Sequence, residues 1–163
     1  MREILFRGKR LDNGEWVEGN LVLSRDVEDD FEAIIIPQTE SGMFTKHSGF
    51  KDISCYLGFD EWRKVIPETI GQWTGLVDKN GMKVFEGDEF NIEDEIVGTV
   101  VFKDGCFRIE EYGICGMWTE SGYDECGGGY GIIQCQPIDW YSICDMEVTG
   151  NIHDKVVEAE VEE

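Results

Sequence analysis

The chain has 163 residues, 41% hydrophobic and 12% aromatic, enough to bury a globular core in one domain or two small ones. It carries 14 Lys and Arg against 35 Asp and Glu, a formal charge of −21, and from residue 104 onward 14 acids face only Arg108 and Lys155. Such a surface repels phosphate backbones and anionic lipid, so neither nucleic acid nor membrane is expected as a direct partner. The opening MREILFR lacks the apolar segment of a secretory signal, and no apolar run nears the roughly 20 residues that span a bilayer, so a cytoplasmic protein is expected.

In chain order the elements read as strands. ILFRGKRL and EWVEGNLVL flank Asn13-Gly14, a pair that supplies the positive φ a tight hairpin needs. FEAIIIPQT, 31–39, reads as a short buried or edge strand ended by Pro37. Residues 40–52 are polar and Gly-containing and read as a loop, and 53–66 as the best helix-or-turn segment, weakened by Gly58. Two further hairpins are signalled, GLVDK to MKVFEGD around Asn80-Gly81 and GTVVF to CFRIEEY around Asp104-Gly105. In the last of these Val100, Phe102, Phe107 and Ile109 are expected to face inward. CGGGYG, 126–131, reads as a hairpin or compact loop, because neither Gly-Lys-Ser/Thr nor a Gly-x-Gly-x-x-Gly spacing is present. IIQCQPIDWYSICDMEVTGNI then resumes a strand pattern, and VVEAEVEE, 156–163, is an acidic tail. No segment sustains a 3.6-residue period, so the chain is mainly β.

Little of this sequence points to a reaction. Cys55, Cys106, Cys115, Cys126, Cys135 and Cys144 include no C-x2-C or C-x4-C pair and read as reduced, mostly buried thiols. His47 and His153 belong to no metal or catalytic signature, and there is no G-x-S-x-G elbow. Glu86, Asp88 and Glu89, with Glu93, Asp94 and Glu95, form the densest acidic set; in one strand Glu86 and Asp88 would share a face. Trp16, Trp62, Trp73, Trp118 and Trp140 have acidic or apolar neighbours rather than basic ones and read as core or protein-interface residues. No catalytic residue, cofactor or metal ligand is expected.

The run IPETIGQWTGLVDKNGMKVFEGDEF resembles the signature of the YopX family of small phage and prophage proteins. The matching positions are Pro67, Glu68, Thr69, Ile70, Gly71, Gln72, Trp73, Thr74, Gly75, Leu76, Asp78, Gly81, Phe85, Glu86, Gly87 and Asp88. REILFRG at 2–8 is similar to the family's opening strand, and EVTGNIHD at 147–154, with Gly150 and Asn151, to its closing segment. The chain departs from the pattern at 8–19, where GKRLDNGEWVEG stands, and through the Cys-rich stretch 106–144. The resemblance implies a β-barrel protein with an SH3-like part, a tendency to assemble, and motif residues that build structure or an interface rather than a catalytic centre.

The expected organisation is an N-terminal β-subdomain over residues 1–65, an SH3-like β-barrel over 66–155 and the tail over 156–163. The expected role is that of a non-enzymatic accessory or regulatory protein, homo-oligomeric or bound to a host or phage protein. Two other readings stay open: an acidic DNA mimic that blocks a host nucleic-acid enzyme, and a metal-binding protein built on thiols or carboxylates.

Overall fold

The computed structural model describes residues 3–24, 32–38, 43–47, 55–59, 61–93, 96–114, 117–119, 122–124 and 130–154. The chain is mainly β and divides into two compact units, Met1–Gln72 and Trp73–Glu163. In the first, strands run at Phe6–Lys9 (β1), Trp16–Leu23 (β2), Ala33–Ile36 (β3), Met43–His47 (β4), Cys55–Phe59 (β5) and Arg63–Lys64 (β6). The next strand, Gly71–Val77 (β7), begins in this unit and continues into the second.

The first unit's ladder is antiparallel in the order β6–β3–β2–β1, with Gly71 and Gln72 of β7 added beyond β1. Beyond Lys9 the chain returns to the far edge of the same ladder. Arg10 bridges Val65, the Leu11 N–H donates to the Lys64 carbonyl at 3.0 Å, and the Ile66 N–H donates to the Lys9 carbonyl at 2.9 Å. Ala33, Ile35 and Val65 form the core, with Val17, Leu21 and Ile70 packed against it. Gly19 allows this packing, because a Cβ there would lie 2.0 Å from the Ile36 carbonyl oxygen.

Two expectations fail here. Residues 40–52 contain a strand rather than only loop, and 53–66 supplies β5 and β6 rather than a helix or turn. Met43–His47 and Cys55–Phe59 pair along their whole length, and a ladder satisfies backbone groups that an isolated turn of helix leaves open. The division between units also falls seven residues after the expected boundary at 65. Val65 belongs to the first core, and the Lys9 N–H donates to the Thr69 hydroxyl at 2.8 Å, which ties the 3-10 turn Pro67–Thr69 to the same unit.

The second unit begins with a hairpin from β7 to Lys83–Phe85 (β8) and continues through Asp88–Glu93 (β9), Ile96–Lys103 (β10) and Cys106–Ile114 (β11). A small hairpin, Met117–Thr119 (β12) with Gly122–Asp124 (β13), precedes Tyr130–Pro137 (β14) and Val148–Asn151 (β15). The antiparallel sheet has the order β14–β11–β10–β9–β15. Its outer strands β14 and β15 do not pair with each other, so among the described residues the sheet stays open and the expected barrel does not close. Residues 126–129, which the sequence assigns to a loop, and the tail from 155 lie outside the described residues.

Val84, Phe90, Val100, Phe107, Ile109 and Ile143 make the core of this unit, each large side chain contributing about 1.5–3 kcal/mol of transfer free energy. Phe102 does not join them: it is 53% exposed at the mouth of the β10–β11 hairpin, edge-on to Phe107 with ring centroids 5.2 Å apart. Ile138 and Ile143, in the 3-10 turns Ile138–Trp140 and Ile143–Asp145, cover the core between β14 and β15 where the sequence suggested continuous strand. Tyr141 latches this segment down through a short hydrogen bond from its hydroxyl to the Glu111 carboxylate, and burial and that bond push the phenol up to about 12.

Candidate functional site

The family-like motif folds into two clamps of the second unit and a staple of the first. Glu86 and Gly87 form a tight turn, after which Asp88, 1% exposed, accepts hydrogen bonds from the Phe85 N–H at 2.8 Å and the Asn151 side-chain amide at 3.2 Å. The two motif segments, distant in sequence, therefore meet at one buried carboxylate. Gly87 has φ +85°, and a Cβ there would stand 2.9 Å from Asn151 Nδ2, so both conformation and space require glycine. Asn151 in turn accepts from the His153 N–H through Oδ1 at 3.0 Å.

Asp78 makes the second clamp. Its Oδ1 accepts from the N–H groups of Asn80 and Met82 at 2.8 and 2.9 Å, and its Oδ2 from the Val148 N–H at 3.2 Å, which ties the β7–β8 hairpin to β15. Burial pushes this carboxyl up, but the donors Met82, Val148 and Asn80, with Lys79 beside them, outweigh it and hold the group below its ordinary 3.8. Thr74 donates to the Val84 carbonyl at 2.9 Å, Trp73 Nε1 to the Leu76 carbonyl at 2.9 Å, and Thr69 to the Ile66 carbonyl at 2.7 Å. Gly75 and Gly81 hold φ of +91° and +78°. Pro67 opens the 3-10 turn, Glu68 and Leu76 face solvent, Gly71 is buried, and Gln72 and Gly150 are half-buried.

Other residues singled out from the sequence scatter. Glu86 sits in the turn and Asp88 in its clamp, so the two do not share a strand face. Cys106 and Cys135 are half-buried and Cys144 is exposed, all as free thiols, which corrects the expectation of mostly buried cysteines for these three. Cys115, Cys126, Asp94 and Glu95, and the side chains of Cys55, His47, Glu93, Trp118 and Trp140, lie outside the described residues. Among the described residues no three His, Cys, Asp or Glu side chains stand close enough to hold one metal ion. No helix among them is long and apolar enough to cross a membrane.

The open surfaces lie away from the motif. In the first unit a groove of about 500 Å³ is lined by Arg10, Leu11, Asp12, Trp62, Arg63 and Lys64, with Leu11 64% and Trp62 45% exposed. Its guanidinium groups are held in place. Arg10 forks onto Asp12, with Nε to Oδ1 at 2.9 Å and NH2 to Oδ2 at 2.6 Å, and its NH1 lies 3.6 Å from Glu15. Arg63 is paired with Glu61 and donates to the Trp62 carbonyl at 3.0 Å. The Arg10 hydrogen bond holds the Asp12 carboxyl below its ordinary value despite some desolvation. Behind this edge, Trp16 packs under the Arg7 and Lys9 cations at 4.5 and 5.2 Å.

In the second unit a cleft of about 560 Å³ is lined by Glu89, Asn91, Val97, Thr99, Val101, Tyr112, Thr149 and Ile152. Neither set was singled out from the sequence as a site. Trp62, read from the sequence as a core or interface residue, is exposed and so is not part of the core; the clustering of Arg10 with Arg63 follows only from the bridge between Arg10 and Val65.

A mainly antiparallel protein of two small units, with a motif that serves as internal scaffolding, is the class these features define. The chain belongs to the YopX family, whose YopX protein description it matches over residues 5–156. Among solved structures it is similar to one titled "Crystal structure of protein EF1440 from Enterococcus faecalis", at 20% identity and a TM-score of 0.50, with the whole of each chain covered. That likeness is one of fold. Among curated proteins none matches.

Proposed function

We propose that the chain is a phage- or prophage-encoded accessory or regulatory protein, not an enzyme, that works in the bacterial cytoplasm through contacts with a host or phage protein and with its own copies. In this reading the second unit is an SH3-like fold with its barrel left open. One observation carries the proposal. The motif's hydrogen-bonding side chains are turned onto their own scaffold, while Trp62 and Leu11 stand exposed beside guanidinium groups already immobilised by ion pairs. Trp and Arg dominate interface hot spots, and a pre-positioned Arg loses less side-chain freedom on binding.

The test compares wild type with a Trp62→Ala/Leu11→Ser variant by light scattering and by affinity capture from host lysate at low and high salt. The expected result is an assembly or partner that survives high salt and binds the variant at least about 30-fold more weakly, the Kd equivalent of a hot-spot loss of about 2 kcal/mol. Equal capture by both forms overturns the groove's part in it. A nucleic-acid enzyme captured only at low salt moves the reading to the DNA mimic.

A further inference from the structure

Only two of the chain's five asparagines, Asn13 and Asn80, precede glycine. That pairing matters chemically, because asparagine is thermolabile and a following glycine has no Cβ to shield its backbone nitrogen. Both steps form exposed turns. Asn13 and Asn80 face solvent, and nothing stands within 4 Å of the place a Cβ of Gly14 or Gly81 would take. The glycine N–H groups are engaged alike, Gly14 to the Arg10 carbonyl and Gly81 to the Asp78 carbonyl, each at 3.0 Å. Exposure, room and backbone restraint are therefore matched in the two turns.

The side chains differ. Asn13 is held at both ends of its amide: Nδ2 donates to Glu15 Oε2 at 2.7 Å, and Oδ1 accepts from the Glu15 N–H at 3.1 Å. The side-chain amide of Asn80 makes no hydrogen bond among the described residues and stands in water. Its backbone, by contrast, is built into the Asp78 clamp. The Asn80 N–H donates to Asp78 Oδ1 at 2.8 Å, the Met82 N–H to the same oxygen at 2.9 Å, and the Val148 N–H to Oδ2 at 3.2 Å. A free amide thus sits on the turn whose geometry joins β7–β8 to β15.

We propose that Asn80 is a site of spontaneous deamidation, and that the product undoes the Asp78 clamp. The Gly81 nitrogen, its proton lost to solvent, attacks Asn80 Cγ. The new N–Cγ bond closes a five-membered imide as the Cγ–Nδ2 bond breaks, and Nδ2 leaves as ammonia with a proton taken from water. A second water opens the imide at either carbonyl. Opening at Cγ leaves aspartate; opening at the backbone carbonyl leaves isoaspartate, whose main chain runs through Cγ with one extra carbon. That carbon lies between the N–H groups of residues 80 and 82, so the two no longer converge on one Asp78 oxygen. The carboxylate set free beside Asp78 adds like-charge repulsion.

The test incubates the full chain at mildly alkaline pH and follows its peptides by mass spectrometry, with isoaspartyl methyltransferase labelling to mark isoaspartate. Each hydrogen bond that must break before attack slows the step by roughly 2- to 10-fold, so Asn80 should react at least about fourfold faster than Asn13. Glu15→Ala should narrow that gap, and in denaturant the two steps should react at similar rates. Amide exchange at Met82 and Val148 should quicken in the aged protein but not in aged Asn80→Ser, serine being another residue that turns accept. Equal rates at Asn13 and Asn80 in the folded chain, or a gap of the same size in denaturant, would overturn the assignment. Isoaspartate at position 80 with unchanged exchange at Met82 and Val148, or the same quickening in aged Asn80→Ser, would overturn its effect on the clamp.

Discussion

The two units of this chain handle charge differently. The first holds nine basic and 14 acidic residues, a net of −5, and the second five and 21, a net of −16. Among the described residues every buried carboxylate, Asp78, Asp88, Glu110 and Glu111, belongs to the second unit, whereas the first buries Lys9 and Thr69 as its polar groups. The more acidic unit therefore uses part of its acid as internal structure, held by N–H and O–H donors. The less acidic unit keeps its carboxylates at the surface, where they brace arginines. The lesson is that net charge sets how a surface meets its partners but does not say which acids are structural.

The comparison can be broken first at the cores. Phe90→Ala in the second unit should cost about 3–5 kcal/mol, and Ile35→Ala in the first about 2–5 kcal/mol. Denaturant unfolding read by hydrogen exchange should localise each loss to its own unit; equal loss of protection in both would show that the units unfold as one.

Next comes the clamp. Asp88→Ala removes the acceptor of the Phe85 N–H and the Asn151 amide and should cost roughly 2–6 kcal/mol, at about 1–3 kcal/mol for each buried donor that loses it. Full stability in this variant would reduce the motif's scaffolding role to turn geometry.

Acid should sharpen the contrast. The folded pKa of Asp78 lies below its unfolded value of 3.8, so its contribution is complete above that value and is lost as pH falls from there through the folded pKa. Unfolding free energy followed against pH should show wild type and Asp78→Asn converging below about 3.8, with protection lost first in β7–β8 and β15. A constant difference across the acid range would mean that the hydrogen bonds survive protonation. The smallest effect belongs to the first unit's surface. Arg10→Gln should change stability by less than about 1 kcal/mol, because Asp12 and Glu15 are exposed and screened, although it loosens the groove beside Trp62.

Much of the second unit was legible in the residues themselves. Asp104-Gly105 takes φ values of 54° and 80°, both positive, and so sets a two-residue turn from which Lys103 pairs with Cys106. The same register places Thr99 opposite Glu110 by simple counting. The mainly β character and the hairpins at Asn13-Gly14 and Asn80-Gly81 were readable for the same reason: positive φ, alternation and local hydrogen bonding are properties of short segments.

Long-range pairing decided the rest. That Glu89 joins Thr99 depends on a register shift at Ile96 and Val97, and that Asp88 meets Asn151 depends on β15 returning beside β9. That Arg10 and Trp62 line one groove depends on the single bridge from Arg10 to Val65. The strands at 43–47 and 55–59 were missed because each becomes a strand only against the other. A ladder hydrogen bond is shared between segments, so no local pattern states which partner will complete it.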